Sequence, residues 1–579
     1  MTRFTAPEHL ISNLESSSTV ALTAPVFMKD RVLIGFALSD TEAHCLELGI
    51  NEFKSLCTSM YRVDGHSRFD IETTAFHGLK RIWEFLDEMG LNSVEEAPNA
   101  LNLKGIQDTR LMAYLLDPDS SQEVKFGDNQ VQEKLTFAHV AHRYLGRDYP
   151  YRITDIYDKA SWDLAAEMLA YDAGLIFELA EKLPTLMSHD LQKLYNQIEL
   201  PLMPLLDNMR RVGIGFDGEK CGELIIETER GMAALAADIT GGESVDLSSN
   251  ESVYDFLTAK GVPVRLAPAQ VKRGLKKPLG QIAHSDPLIR KMLSWWNRGE
   301  DLGFLRRWAG HSRIHPTWGQ TRSATSRIYA RSPAVQNVSR RLRGLFVPKS
   351  GHALIKADYS QAQMRIIAHL SEDPELMRIF RDPNGDVHME TSERLGLNDR
   401  SVAKEINFAI CFGMGAPGLC TKINELRQDQ GSTDFINGDT ARSYIKGFYR
   451  RFPKVKEFFD REWKKMKKLP SDQRIVRSLA GRERHFPRWP TFEVERQFRV
   501  TWPQQIEADL IKTAMLRLDR IFRRRSMDAR IVMMIHDALW VECPEKEAEQ
   551  VKHLTQRMMI TSGKLRVPLD VDIQICKIV

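Results

Sequence analysis

The sequence predicts a multidomain α/β protein, on three observations. Its 579 residues exceed what a single core organises, and the length suggests about three to four domains. Short apolar runs of strand length recur beside longer stretches with helical periodicity. Apolar content of 42% and charged content of 27% are ordinary for packed globular domains.

Residues 1–185 read as an α/β unit. Val20–Leu22 and Val32–Leu38 look like neighbouring strands, and Leu79–Met89 and Ala165–Lys182 like helices. Residues 186–310 read as mostly helical. Gln192–Arg211 is expected as one long amphipathic helix ended by Val212-Gly213, with Gly241-Gly242, Pro268 and Pro278 punctuating the remainder. From residue 311 to 579 short strands come first and long helices after, among them a strongly basic stretch, Thr440–Lys468, expected as a single helix. There is no internal repeat and no low-complexity tract.

The totals narrow the class. No run of 18 apolar residues suggests a membrane span, and the N-terminus lacks the apolar segment of a secretory signal. Seven cysteines are scattered without a Cys-x-x-Cys pair, which fits a reducing interior and neither a disulfide framework nor a zinc site. A cytoplasmic location and a monomer are expected. The net charge of +4 is small, but its distribution is uneven. Between Asp301 and Asp358 there is no acidic residue, while Arg306, Arg307, Arg313, Arg322, Arg327, Arg331, Arg340, Arg341, Arg343, Lys349 and Lys356 all fall there. Arginine excess of this kind is the footprint of a phosphate backbone, so nucleic acid is the expected partner.

Three stretches carry chemistry. Ala353–Arg365 reads as an apolar strand that delivers Asp358 to its end, then a polar turn, then a helix carrying Arg365. A lone aspartate there serves equally as a helix cap. In the second stretch, Arg400, Lys404, Phe408 and Phe412 are spaced by four and form one helical stripe. Two cations followed by two aromatics suit a ligand with an anionic tail and a flat head, such as a nucleoside triphosphate; the aromatics alone suit core packing as well. The third, Val532–Val541, reads as two strands around a tight His536-Asp537 turn. Two aspartates brought together from separate strands repel unless a divalent cation lies between them. Oxygen ligands with a triphosphate point to two Mg²⁺ ions, with Mn²⁺ able to substitute.

These stretches resemble DNA polymerase family A. Asp358-Tyr-Ser-Gln-x-x-x-Arg365 is similar to its motif A, Arg400-x-x-x-Lys404-x-x-x-Phe408-x-x-x-Phe412-Gly413 to motif B, and His536-Asp537 to motif C. Thr325-Ser326-Arg327, Ser332-Pro333-x-x-Gln336-Asn337, Asp386-Val-His388, Phe448-Tyr-x-x-Phe452-Pro453 and Gly481-Arg482-x-Arg484-x-x-Pro487 match further landmarks in order. The resemblance covers about residues 190–579. It implies a right-hand fold, with a thumb over 186–310 and a palm over 311–579 into which fingers are inserted at about 370–490. An RNase H-like, exonuclease-type α/β domain over 1–185 would precede them.

It also implies roles. Asp358 and Asp537 would be catalytic and bind metal, assisted by the Tyr359 main-chain carbonyl. Arg400, Lys404 and His388 would hold the triphosphate, and Phe408 would lie against base and sugar. Gln363 and Phe412 would stand beside the sugar. Arg327, Gln336, Asn337, Arg496 and either Gln504 or Gln505 would track primer–template DNA, with His536 at the primer terminus. The substrates would be dNTPs.

Four departures qualify this. The family usually has Glu where Gln363 stands and Tyr where Phe412 stands; because losing the tyrosine hydroxyl would strand a carboxylate, the two changes read as one compensated pair. Ala538 replaces the usual Glu after Asp537, leaving the metal site to two aspartates. In the exonuclease-like part, Asp108 and Asp172 match its second and third motifs, but Met168 stands where a tyrosine is wanted. Val20–Pro25 holds neither carboxylate of the first motif, so no proofreading is expected and the two aspartates read as structural. A 5′-nuclease domain ahead of this part is not expected. Two other readings are a single-subunit RNA polymerase and a non-catalytic template-binding replication factor. Bulk at Phe408, Phe412 and Gln363 speaks against the first, and retention of Asp358, Asp537, Arg400 and Lys404 together against the second.

Overall fold

A computed structural model describes residues 3–4, 19–23, 26–28, 31–39, 43–49, 73–77, 106–121, 124–126, 130–132, 135–151 and 162–577, apart from 263, 265, 283–285, 396, 398, 430–434 and 488–490. The helix expected at Leu79–Met89 lies outside the described residues.

The N-terminal part builds a sheet from β1 (Arg3–Phe4), β2 (Thr19–Leu22), β3 (Val26–Met28), β4 (Arg31–Ala37), β5 (Ala43–Gly49), β6 (Thr73–Phe76) and β7 (Ile106–Asp108). The order is β1-β5-β4-β2-β6-β7, with β3 on β4. β2 and β4 are antiparallel neighbours, as expected from their apolar runs, and β2, β6 and β7 run parallel. α1 (Thr109–Leu116) leaves the end of β7 directly, and α2 (Trp162–Leu186) lies across the sheet. The approach is close at Gly35, where a Cβ would sit 2.0 Å from the Leu169 carbonyl oxygen; no other residue fits there.

The helical run expected at Gln192–Arg211 is present but not regular. After a short helix at His189–Leu194 it widens into a π-turn over Tyr195–Glu199, then continues as α3 (Leu200–Val212). The Leu200 N–H bonds back to Tyr195, and Pro201 has no N–H with which to restore the ordinary register. Gly213, at φ +65°, ends the run. The widened turn aims Glu199 into the interior, where it is fully buried. Two long helices, α4 (Gly218–Thr240) and α5 (Pro287–Trp308), then pack together, and a small apolar cluster around Phe256, Leu257 and Met292 fills the space beyond them.

β8 (His352–Tyr359) enters the sheet that organises the C-terminal half. α6 (Ala362–Ser371), α7 (Val387–Arg394) and α8 (Arg400–Cys411) come next. The single helix expected over Thr440–Lys468 is two, α9 (Gly438–Arg451) and α10 (Pro453–Lys468). Pro453 forces Phe452 out of helical geometry, to φ −117° and ψ 65°. α11 (Phe492–Arg524), β9 (Arg530–Ile535), β10 (Ala538–Pro544), α12 (Ala548–Ile560) and β11 (Val571–Lys577) complete the chain.

The order β9-β10-β8-β11 makes β8 and β10 the inner strands, and their apolar residues join one core with α3, α11 and α12. α6 through α10 share a second core. Against α11 lies a buried charge network. Glu199 accepts from Lys512 at 2.6 Å and from Arg482, which also holds Asp509 at 2.7 Å. The N-terminal unit is tied in nearby. The buried Tyr114 hydroxyl lies 2.8 Å from both the Ser323 carbonyl and Ser326 Oγ, and Arg484 pairs with Asp119. Among the described residues no helix is long and apolar enough to cross a membrane.

Candidate active site

Strand register brings the two aspartates together. Asp358 is the penultimate residue of β8 and pairs across to Ala538 on β10, so Asp537, one residue earlier, sits in the turn beside it. The turn is two residues long, closed by Ile535 opposite Ala538, and His536 takes a left-handed φ of +57°. The Asp537 carbonyl accepts from the Tyr359 N–H at 3.4 Å. The Tyr359 side chain points away, its hydroxyl bound to the Met559 carbonyl and Ser562 in the core. Its ring therefore anchors the strand end, while the main chain stays at the site.

Both carboxyls reach solvent, Asp358 exposed and Asp537 half-buried, with other chain segments packed close around them. Burial pushes Asp358 above the ordinary carboxylate range. A hydrogen bond with Asp537 and the nearby Lys404 charge pull it back, while Asp572 across the sheet pushes it up. Burial pushes Asp537 well above that range too, reinforced by the charges of Glu507 and Asp358. Two carboxyls in this relation hold a proton between them, or a cation in its place. Among the described residues no three His, Cys, Asp or Glu side chains converge on one metal-sized point. The donor set is the aspartate pair, whose mutual repulsion is what a divalent cation would relieve.

The cationic helix faces this pair. α8 begins at Arg400, whose guanidinium pairs with Asp386 at 2.7 Å, and Asp386 also caps the start of α7. Lys404 sits over Phe408, 5.8 Å from the ring centre, and is close enough to Asp358 to lower its pKa. Phe408 and Phe412 stack with centroids 6.0 Å apart. His388 on α7 approaches Phe408 and is nearly fully buried. Burial, with the Arg400 and Lys404 charges, pushes its pKa down to about 3, so the ring is neutral at pH 7. Asn407 fixes its tautomer. The Asn407 amide nitrogen lies near the Val387 carbonyl and 2.9 Å from His388 Nδ1, which makes Nδ1 the acceptor and Nε2 the N–H. That Nε2–H is buried without a partner, a donor in wait for an acceptor ligand.

The expected DNA-side residues divide. Arg327 lies beside Asp537 and Glu507, and His536 beside Arg327 and Arg343. Gln504 accepts from Thr325 at 3.0 Å, so of the two candidate glutamines it is the one joined to the Arg327 segment. Gln505 is fully buried on another face of α11. Gln336 spends its amide on the backbone of Ile328, Ala330 and Met534. Asn337 is exposed, and Arg496 is exposed and pairs with Glu493 on its own helix. Of the arginine-rich interval, Arg306, Arg313 and Arg341 are taken up by Glu229, Glu542 and Asp301, so the acid-free run overstates the cations open to a phosphate backbone.

Sequence patterning does not disclose Glu507. Buried in α11, it holds Gln363: the Gln363 amide nitrogen donates to both its oxygens, at 2.8 and 2.9 Å. The amide at 363 thus has its hydrogen-bond reason in Glu507 rather than in Phe412, since a glutamate there would oppose a second carboxylate. Burial pushes Glu507 up to about 7, and Asp358 adds to the rise while Arg327 and Gln363 oppose it. A polar residue in the middle of a long helix gives no warning that it faces inward. Asp572 is a second such residue, although its strand position opposite Asp358 follows from the sheet.

Asp108 and Asp172 each have a hydrogen-bond partner within the N-terminal part. Asp108 caps α1 through the Leu111 N–H and is 1% exposed, and its own N–H donates to the Tyr195 hydroxyl oxygen at 2.8 Å. Asp172 accepts from Tyr149 at 2.7 Å, and burial pushes it up to about 7. At the first-motif position, the Gly35 N–H donates to Thr23 Oγ1 at 2.9 Å.

An aspartate pair on an antiparallel sheet, faced by a cationic helix, defines the class as a right-hand polymerase fold. The polymerase domain of Pol1 from M. smegmatis, solved with a DNA primer-template and dNTP, matches with a TM-score of 0.77 at 21% identity, over 100% of this chain and 99% of that one. The chain belongs to DNA polymerase family A, whose model matches residues 221–578. It is 29% identical over 415 residues to DNA polymerase I of Caldicellulosiruptor bescii, covering 66% of this chain and 47% of that protein. To DNA polymerase I of Treponema pallidum it is 26% identical over 608 aligned positions, covering 96% and 57%. The chain therefore spans about half the length of these curated relatives.

Proposed function

We propose that this protein is a template-directed DNA polymerase that adds dNTPs to a primer 3′-hydroxyl and releases pyrophosphate. The observation that carries the reading is the convergence of Asp358, Asp537 and Lys404, one from each of the three stretches, on a single cleft. On this reading residues 186–310 act as thumb and 311–579 as palm, with fingers at about 370–490.

Asp358 and Asp537 would hold the divalent cations, two Mg²⁺ by this reading, which would supply charge neutralisation and polarise the reacting oxygens. The rest is done by the chain. Lys404 and Arg400 neutralise the triphosphate, with Arg400 exchanging Asp386 for phosphate. Neutral His388 donates its Nε2–H to a phosphate oxygen. Phe408 and Phe412 give the base a flat face. Arg327, in the field of Glu507 and Asp537, and Gln504 through Thr325, steady the primer end. Catalysis is then positioning and charge stabilisation, and base choice comes from template pairing.

The α/β unit over 1–185 acts on this reading as an exonuclease-like domain without proofreading, because Asp108 and Asp172 are engaged as a cap and a tyrosine acceptor. Primer extension tests the whole. Extension with dNTPs and a divalent cation, abolished by Asp358→Ala, is expected; no extension across Mg²⁺ and Mn²⁺ titrations refutes it. A mismatched primer should keep its length, and shortening that Asp108→Ala abolishes would overturn the second part.

A further inference from the structure

Tyr114 joins the N-terminal unit to the segment that carries Arg327, and the proposed mechanism gives it no role. It is fully buried on α1, with its hydroxyl 2.8 Å from both the Ser323 carbonyl and Ser326 Oγ. A carbonyl can only accept, so the single tyrosine proton goes to Ser323, and the Ser326 hydroxyl donates to the tyrosine oxygen. The Ser323 carbonyl also accepts from the Ser326 N–H at 2.8 Å, which closes a tight turn. Ser326 is fully buried in that turn at φ +61°, the left-handed region that a serine seldom adopts without support.

α1 is held firmly enough to give that support. Asp108 caps its first turn, and the Asp108 N–H donates to the Tyr195 hydroxyl oxygen in the π-turn. Beyond its other end Asp119 pairs with Arg484, which also donates to Thr501 on α11 at 2.9 Å. The neighbours of Arg327 are anchored as well. Thr325 donates to Gln504, and the Ile328 carbonyl accepts from the Gln336 amide. That amide also donates to the Met534 carbonyl, three residues before Asp537, and Arg327 lies in the field of Asp537. With both flanks fixed, the backbone angles at Ser326 set the direction in which Arg327 leaves the chain.

We infer that Tyr114 is a positioning residue for DNA synthesis: its hydroxyl holds Ser326 in the left-handed conformation that sets Arg327 beside the aspartate pair. The N-terminal unit then serves the polymerase site directly, in a task unrelated to proofreading. The inference rests on the polymerase reading above.

The test is the Kd for a labelled primer–template duplex, with KM for dNTP measured beside it, on the full chain. Tyr114→Phe should weaken duplex binding about fivefold, the worth of one hydrogen bond, and leave KM for dNTP unchanged. Adding Ser326→Gly to Tyr114→Phe should bring Kd back to within about twofold of wild type, because glycine takes a positive φ unaided. Arg327→Ala should weaken binding by itself, and Tyr114→Phe should add nothing to it. At position 326 alone, Ser326→Ala should cost about fivefold and Ser326→Gly less than twofold. A Tyr114→Phe Kd within twofold of wild type overturns the inference, and so does an undiminished Tyr114→Phe loss in the Arg327→Ala background. Ser326→Gly no better than Ser326→Ala overturns it too, which decides the matter even where Tyr114→Phe fails to fold. Wild type that extends no primer defeats the polymerase reading, and the inference with it; wild type that extends primers while the Tyr114 and Arg327 losses simply add defeats the inference alone.

Discussion

Glu507 gives a quantitative expectation for stability against pH. Burial raises its pKa from 4.5 to about 7, so between those values the folded chain keeps a proton that the unfolded chain has released. A folded pKa above the unfolded one means that stability is greatest below about 4.5 and is lost as pH rises through about 7. A rise of two to three units corresponds to about 3 kcal/mol, at roughly 1.4 kcal/mol per unit. Glu507→Gln imitates the protonated acid, keeps a carbonyl acceptor for Gln363, and cannot titrate. Relative to wild type the variant should therefore gain about 3 kcal/mol of stability as pH climbs from 4.5 to 7.5. Urea denaturation in EDTA across that range measures the difference, and using the difference cancels other groups such as Asp172, which is raised in the same window. Parallel curves for the two proteins would refute the reasoning, as would a wild type that gains on the variant with rising pH.

Three further outcomes are expected. Lys404→Ala should raise KM for dNTP and move the acid limb of the pH–rate profile to higher pH, because Lys404 lowers the Asp358 pKa and its loss lets that pKa rise; an unmoved limb would separate the two residues. Glu199→Gln should cost about 3 kcal/mol by leaving Lys512 and Arg482 short of one buried carboxylate, measured by denaturation, whereas Asp439→Asn at an exposed pair should cost nothing measurable. Tyr114→Phe should loosen the Ser323–Arg327 segment and weaken primer–template binding about fivefold, near 1 kcal/mol, with KM for dNTP unchanged; titration of labelled primer–template checks it.

Much of the site was legible in the sequence because its chemistry is local. Asp358 ends a strand, Asp537 occupies a two-residue turn, and Arg400 to Phe412 repeat at a helical interval, so three short patterns define three surfaces. The features that were not legible depend on long-range packing. Pro453 divides a helix that charge patterning ran together, although the proline itself was visible. The arginine-rich interval looked free because its partners, Glu229, Glu542 and Asp301, come from other parts of the chain. His388 was readable, but not the Asn407 amide that sets its tautomer.

α11 shows why Glu507 escaped notice. Amphipathic patterning places polar residues outward, so by pattern alone nothing marks Glu507, Asp509 and Lys512 as buried. The helix instead crosses the middle of the protein and is covered on opposite sides. Gln504 and Glu507, three apart, share the face toward Thr325, Gln363 and Arg327. Asp509 and Lys512, also three apart, share the far face and enter the charge network with Glu199 and Arg482. Two buried polar stripes on one helix are tolerable only where each charge meets a partner, and the partners come from the π-turn at Tyr195–Glu199 and from Gln363 on α6. The same geometry couples the two faces mechanically. A helix held by ionic contacts on one side presents Glu507 at a fixed depth on the other, where it grips the Gln363 amide within electrostatic reach of Asp358 and Asp537.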